Sequence, residues 1–286
     1  MNAPDAGWID LKIRMGLANT AEDIDRNIEY ALNREYIPLQ ELEMKAKGAV
    51  AVVGSGPSLK KNWRELRDFD GDIIACNAAC QFLLGKGIVP KYMFCFDADP
   101  LMLEFITPHP DITYLLASRC PPQTFDMLEG NRIVCWHAGG DEHIEALLQK
   151  HNRMEPMVKG GTAAITRCMM LAPYLGYNPV HLYGADSSFA DGDTHIRQST
   201  TKERCIVVRM GARNFLCAPW MARQAMDFEV LAVPMRDAWG IRYVVHGDGL
   251  IPHMARVLGF EVDGEAKWKH TARHLKFKAQ TFWQHL

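Results

Sequence analysis

The sequence predicts an α/β protein with a Rossmann-like, mainly parallel sheet and helices on both faces. Three observations lead there. Short, nearly continuous apolar runs recur along the chain, segments with helical spacing lie between them, and small or polar residues follow many of the runs at once. A strand whose consecutive residues are all apolar is one buried on both faces, as strands of parallel sheets are. Repeated alternation of such strands with helices is the pattern of a layered α/β fold.

Taken in order, the first forty-odd residues are charged and helix-prone, with Ile24, Ile28, Tyr30, Ala31 and Leu32 as an apolar stripe and Pro38 interrupting it. Residues 1–47 therefore read as a helical N-terminal extension that docks on the core. The run Gly48 to Gly54 is the first expected strand, followed by Asp72–Cys76, Tyr92–Phe96, Ile112–Leu116, Arg132–Trp136, Val180–Tyr183 and Ile241–Val245. Helical spacing marks Gly161 to Leu175 and Gly249 to Leu258. These segments define one Rossmann-like domain over 48–263. Ala185 to Gly211 is polar and irregular, longer than an ordinary connection, and reads as a functional lid or insert. Residues 264–286 read as a basic helical tail carrying Lys267, Lys269, Arg273, Lys276 and Lys278. No internal repeat or low-complexity stretch occurs.

Composition narrows the class. At 286 residues, with 48% hydrophobic and 23% charged residues, the chain can bury a sizeable core. No apolar run approaches the roughly 20 residues that cross a bilayer, and Met1–Asp5 has no basic start leading into an apolar stretch. With 32 basic against 34 acidic residues, the net charge of -2 does not indicate nucleic acid as a partner. Eight scattered cysteines form no C-x-x-C pair, and several sit in apolar runs, so they read as small core residues of a cytoplasmic protein. No G-x-S-x-G elbow is present, and Cys135, His137 and His143 lack zinc-finger spacing.

In an open parallel sheet, ligands bind beyond the carboxyl ends of the strands. The turn Gly54-Ser55-Gly56-Pro57-Ser58 stands at such an end. Its glycines let a ligand approach the backbone, and the helix behind it aims free N–H groups at a phosphate. It is not a Walker A loop, and Leu59 stands where a dinucleotide fingerprint has its third glycine. Asn77 ends the next strand in place of the acid that holds a ribose in NAD enzymes. Read structurally, the same turn is a plain strand-to-helix connection with Ser58 as cap. Asp97 and Asp99, one residue apart, are either two ligands of a Mg²⁺ that bridges a diphosphate or, for Asp99 before Pro100, a helix cap. Gly161-Thr162 opens a helix and offers amides and a hydroxyl to an anion, or simply caps and packs. Asp186 ends a strand and is placed to hold a sugar hydroxyl or a base. Asp191-Gly192 and His195 follow; His195 is the candidate general base, against the reading of a surface histidine beyond a turn. His246 to Gly249 either completes the pocket rim or caps a helix.

Val52 to Leu59, then Cys76-Asn77, Gly161-Thr162-Ala163 leading into Leu175-Gly176-Tyr177, and Val180 to Asp186 together resemble one superfamily. It contains archaeal 6-hydroxymethylpterin diphosphokinase-like domains, flagellin-modifying motility-associated factors and bacterial sialyltransferases that use CMP-sugars. The resemblance runs from about Gly48 to Gly259. It implies a nucleotide pocket touched by Gly54 to Ser58 and Asn77, with Gly161, Thr162 and Asp186 on the base and ribose side. It implies a histidine base after the Asp186 element, for which His195 is the nearest candidate. The acidic pair Asp97 and Asp99 departs from the metal-free sialyltransferase pattern and resembles the diphosphokinase-like branch. The expected activity is a nucleotide-dependent transferase. A glycosyltransferase using CMP- or another nucleotide-sugar is weighed against a Mg²⁺-dependent diphosphokinase moving pyrophosphate from ATP to a hydroxymethylpterin-like molecule, and against a non-catalytic nucleotide-binding protein. The N-terminal helices and basic tail are the expected contacts for a homo-oligomer or for the acceptor.

Overall fold

The computed structural model describes residues 19–139, 142–190 and 205–263. Helix α1 (Ala21–Leu32) starts in a capping box, with Thr20 Oγ1 accepting from Asp23 N and Asp23 Oδ2 accepting from Thr20 N. It buries Asn27, Ile28, Ala31 and Leu32, the three-and-four spacing of one helical face. The chain continues through β1 (Ile37–Pro38), β2 (Val50–Val53), α2 (Leu59–Asn62), β3 (Asp72–Cys76), α3 (Ala78–Leu84), β4 (Tyr92–Cys95), β5 (Thr113–Ala117), α4 (Pro122–Met127) and β6 (Arg132–Ala138). Then come α5 (Glu142–Lys150), β7 (Met157–Val158), α6 (Ala164–Leu175), β8 (Val180–Tyr183), β9 (Ile206–Met210), β10 (Arg213–Cys217), α7 (Pro219–Trp239), β11 (Tyr243–Val245), α8 (Leu250–Val257) and β12 (Glu261–Val262). Short 3-10 helices at Leu39–Leu42, Trp63–Arg67 and Pro100–Phe105 complete the described chain.

The main sheet runs β1-β6-β5-β4-β3-β2-β8-β11-β12, and β7 pairs with the same edge of β6 beyond β1. Each of these pairings is parallel. Every residue of β2 and β4 is buried, so both sheet faces are covered. Phe94 stacks on Trp136 at 4.8 Å across the middle of the core. The lead-in helix belongs to this same core, since Ile28 and Leu39 are buried in it and β1 extends the sheet.

One segment departs from the expected irregular stretch over Ala185 to Gly211. Ala185 to Ser188 is buried, and β9 forms an antiparallel hairpin with β10 apart from the main sheet. The physical reason is alternation: Ile206, Val208 and Met210 turn inward while Val207 and Arg209 are exposed. Among the described residues no helix is long and apolar enough to cross a membrane. All eight cysteines are free, and all but Cys205 are buried.

Candidate functional site

From β2 the chain steps outward through β3, β4, β5 and β6, and it returns to lay β8 on the other side of β2. The strand order therefore reverses between β2 and β8, the place where open α/β sheets open a crevice at their carboxyl edge. Gly54 to Ser58 and Gly184 to Asp186 face each other there. The two turns approach so closely that they satisfy one another. Gly54 N donates to Tyr183 O at 2.8 Å, Gly56 N to Gly184 O at 2.9 Å and Ser58 N to Asp186 Oδ2 at 2.8 Å. A Cβ on Gly56 would lie 2.3 Å from Asp186 Oδ2 and 2.6 Å from Gly184 O. Glycine at 56 is thus required by the neighbouring strand and by a carboxylate of the chain itself. Burial pushes the Asp186 carboxyl above the usual range, and the Ser58 amide pulls it back. The turn after β11 seals the corner, with Ile251 N donating to Asp186 O and Leu250 N to Ser188 Oγ, both at 3.2 Å. Among the described residues of this turn, Ser55 alone keeps an amide without a protein acceptor.

From the neighbouring strand β3 onward, the carboxyl edge is different. Asn77 leaves β3 with φ +48° and ψ −124°, a conformation that strains any residue with a Cβ. Its Nδ2 donates to Asp97 Oδ2 at 3.2 Å, while its Oδ1 is buried with no partner. Asp97 is open to solvent, yet desolvation raises its carboxyl above the usual range, against the pull of the Arg119 charge and of Asn77. An exposed group that is still desolvated lies in a recess. Asp99 is turned away to capping, accepting from Leu101 N at 2.9 Å with Pro100 opening the 3-10 helix.

The same recess holds two arginines. Arg119, just past β5, has its Cζ 5.1 Å from the centre of the Phe96 ring, and Arg167 on α6 lies 4.8 Å from it. Arg167 is buried and pinned, donating from Nε to Gly161 O at 3.2 Å and from Nη1 to Val158 O at 2.6 Å. Burial, then the neighbouring charge of Arg119, brings its pKa down to about 10. Arg119 Nε is buried without a partner. Periodicity and motifs do not reveal this pair, because two arginines far apart in sequence meet only through the tertiary fold.

Gly161 and Thr162 open α6, but this helix start is also closed by the protein. Thr162 N and Oγ1 both donate to Asp227 Oδ2 of α7, at 2.8 and 2.7 Å. His195 and Asp191 lie outside the described residues. Among the described residues no three His, Cys, Asp or Glu side chains gather as a metal site.

The strand order, the reversal at β2 and the carboxyl-edge recess define a Rossmann-like α/β protein of the kind that takes its ligand at the strand ends. The family model described as 6-hydroxymethylpterin diphosphokinase MptE-like matches residues 22–192, more than half of the 286 residues, and the chain belongs to that family. Among solved structures it is similar to the MAf glycosyltransferase from Magnetospirillum magneticum AMB-1, with a TM-score of 0.62 and 18% identity over 82% of this chain. It spans only 38% of that protein's chain, and the likeness is one of fold. The sialyltransferase CST-II, solved with a trisaccharide acceptor and CMP, gives a TM-score of 0.38 and 14% identity, covering 77% of this chain and 89% of that one. A mammalian sialyltransferase gives 0.36 and 15% over 63% of this chain and 71% of that one. Likeness at those scores says nothing further about this chain. No curated protein matches it.

Proposed function

We propose that the chain is a nucleotide-dependent transferase that moves a sugar from a nucleotide-activated donor to an acceptor hydroxyl. The observation that carries this is the recess at the ends of β3, β4 and β5, where Asn77 Oδ1 and Arg119 Nε are buried with no partner among the described residues, beside the Asp97 carboxylate. Buried polar atoms without partners are few in native proteins, and a cluster of them at the carboxyl edge of a parallel sheet marks a ligand site. The family membership and the glycosyltransferase fold of the MAf protein support the transferase class. In this reading the nucleoside lies along Ser55 and Asn77, and the acceptor oxygen attacks the anomeric carbon. The bond from that carbon to the donor phosphate breaks, the phosphate keeps the electron pair, and the acceptor's proton passes to His195 as base. Cations at the recess hold the departing phosphate.

One observation favours the diphosphokinase alternative. The Asp97 carboxylate, held by Asn77 Nδ2, and the unpartnered Oδ1 of the same asparagine are two hard oxygen donors on neighbouring residues. Magnesium is commonly held by one or two carboxylates together with substrate phosphates, so these two atoms fit it, whereas Asp99 keeps its capping role. There Mg²⁺ would neutralise phosphate charge; the hydroxymethyl oxygen would attack the β-phosphorus of ATP, the bond from that phosphorus to the oxygen on the α-phosphorus would break, AMP would leave with the electron pair, and the hydroxyl proton would pass to water. Thermal shift with CMP, UDP, GDP and ATP, each with and without Mg²⁺, tests both. Stabilisation by CMP, UDP or GDP supports sugar transfer, stabilisation by ATP only with Mg²⁺ supports the diphosphokinase, and no response to any nucleotide contradicts both. Asp97→Asn and His195→Ala variants that retain full activity would sink the residue roles.

A further inference from the structure

We propose that Arg119 and Arg167 are the seat of a diphosphate group, bound over the edge of Phe96 beside Asp97. The inference deepens the transferase reading and rests on it for the nucleoside that the diphosphate would carry.

Four features of the recess point to an anion that the chain does not supply. First, the Arg119 guanidinium makes no hydrogen bond or ion pair among the described residues, and its Nε is buried without a partner. A guanidinium is a rigid fork of donors, and leaving its Nε cut off from both water and an acceptor is unfavourable. Second, Arg167 uses Nε and Nη1 on carbonyl oxygens, and Nη2 has no acceptor among the described residues. Third, both cations lie within about 5 Å of one aromatic ring, so like charges are held together in a recess where screening by water is weak. Asp97 answers Arg119 through space only, with no hydrogen bond between them, and its own acidity is weakened by burial. Fourth, Arg167 stands in the first turn of α6, the twelve-residue helix that packs under β2, β3 and β4. The start of a helix carries partial positive charge, so a buried cation there is misplaced unless an anion joins it.

The planar fork of Arg119 can take two oxygens of one phosphate, and Arg167 Nη2 beside it is a second cationic donor for a linked phosphate, a set wider than one carboxylate fills. The glycine turn cannot do this work in their place, because the amides of Gly54, Gly56 and Ser58 already donate to Tyr183, Gly184 and Asp186. Thr162 is likewise held by Asp227. Among the described residues, the turn keeps only the neutral Ser55 amide and Ser58 hydroxyl without partners, whereas the arginine pair offers two cations.

Calorimetric titration with inorganic pyrophosphate tests the proposal, using the full chain, Arg119→Ala and Arg119→Lys, with UDP and uridine titrated in parallel. The Arg119 guanidinium has no hydrogen-bond partner among the described residues, so Arg119→Ala gives up only its contact with the Phe96 ring and its attraction to Asp97, and its melting temperature is measured first to confirm that it is folded. The expected result is pyrophosphate binding to the wild type that weakens about tenfold or more in Arg119→Ala and recovers only in part in Arg119→Lys. Phosphate and acetate bind more weakly than pyrophosphate. Arg167→Lys, which retains a charge at the buried position, shows the same direction of loss and guards against a folding artefact at a single site. No pyrophosphate binding by the wild type, or equal binding by wild type and Arg119→Ala, overturns the proposal. UDP binding that is indifferent to Arg119→Ala overturns this site and leaves the transferase reading standing. Pyrophosphate binding that depends on Arg119, with no nucleotide bound, supports this site and contradicts the transferase reading.

Discussion

Two corners of the carboxyl edge, one between β2 and β8 and one above β4 and β5, are built from the same materials and end in opposite states. Each gathers backbone amides, carboxylates and glycine or asparagine turns at strand ends. At the first corner the amides of Gly54, Gly56 and Ser58 find protein acceptors, with Asp186 as the chain's own anion on Ser58 N, while the Ser55 amide and the buried Ser58 hydroxyl have no partner among the described residues. At the second, Asn77 is strained, and its Oδ1 and Arg119 Nε are buried with no partner among the described residues. The difference teaches that a glycine turn at a helix start is not by itself a phosphate seat. What matters is whether the fold has already supplied the anion. A closed corner contributes stability, and an open one contributes function, at some cost to stability.

Substitutions sharpen this contrast, and the largest effect belongs to the closed corner. Gly56→Ala forces a Cβ against Asp186 Oδ2 and Gly184 O, and it should lower unfolding free energy by about 3 kcal/mol or more in chemical denaturation. Gly85→Ala, whose Cβ would meet nothing closer than 3.4 Å, should be tolerated and serves as the control.

Next comes the pH dependence of the turn after β11. His246 is stacked on Tyr183 and bonded to His181, near Glu65 and Asp263, and burial followed by the His181 charge brings it down from 6.5 to about 4. A base depressed in the folded state lends stability that is present above the unfolded value and is lost as pH falls through the folded one. Wild-type stability should therefore fall between pH 6.5 and about 4. His246→Gln should flatten that loss by up to about 2 kcal/mol in denaturation series across the window.

Asp186→Ala removes the cap on Ser58 N together with a desolvated charge, and the two changes partly offset. The net expectation is a loss of about 1–2 kcal/mol. The smallest effect has the opposite sign. Asp97 is raised by burial, so its ionised form works against folding, and that penalty sets in as pH climbs through its raised value. Asp97→Asn should melt at or slightly above the wild type at neutral pH, lose that advantage in acid, and still impair ligand binding. A destabilised Asp97→Asn would place this residue with the closed corner instead.

Much of the frame is legible in the sequence because burial on both faces writes strands as unbroken apolar runs. Asp72–Cys76 and Val180–Tyr183 coincide with β3 and β8, and the other expected runs overlap β2, β4, β5, β6 and β11. Two-residue strands such as β1, β7 and β12 carry too little pattern to be read. β9 was hidden because its inward residues alternate with exposed Val207 and Arg209 in a polar neighbourhood. For the site, Gly54, Asn77, Asp97 and Asp186 were all legible as strand-end residues. Their partners were not, since Asp186 reaches Ser58 and Asp227 reaches Thr162 only once the sheet is assembled. Arg119 and Arg167 are not legible as a pair for the same reason, and Phe96 reads as the core residue it is, with no sign of the two cations against its ring.

A crystal structure grown with pyrophosphate asks most directly which corner is open. The account predicts phosphate oxygens within hydrogen-bond distance of the Arg119 and Arg167 guanidinium groups, with the Ser58 amide still on Asp186. Phosphate on the amides of Gly56 and Ser58, with Asp186 swung aside, would contradict it.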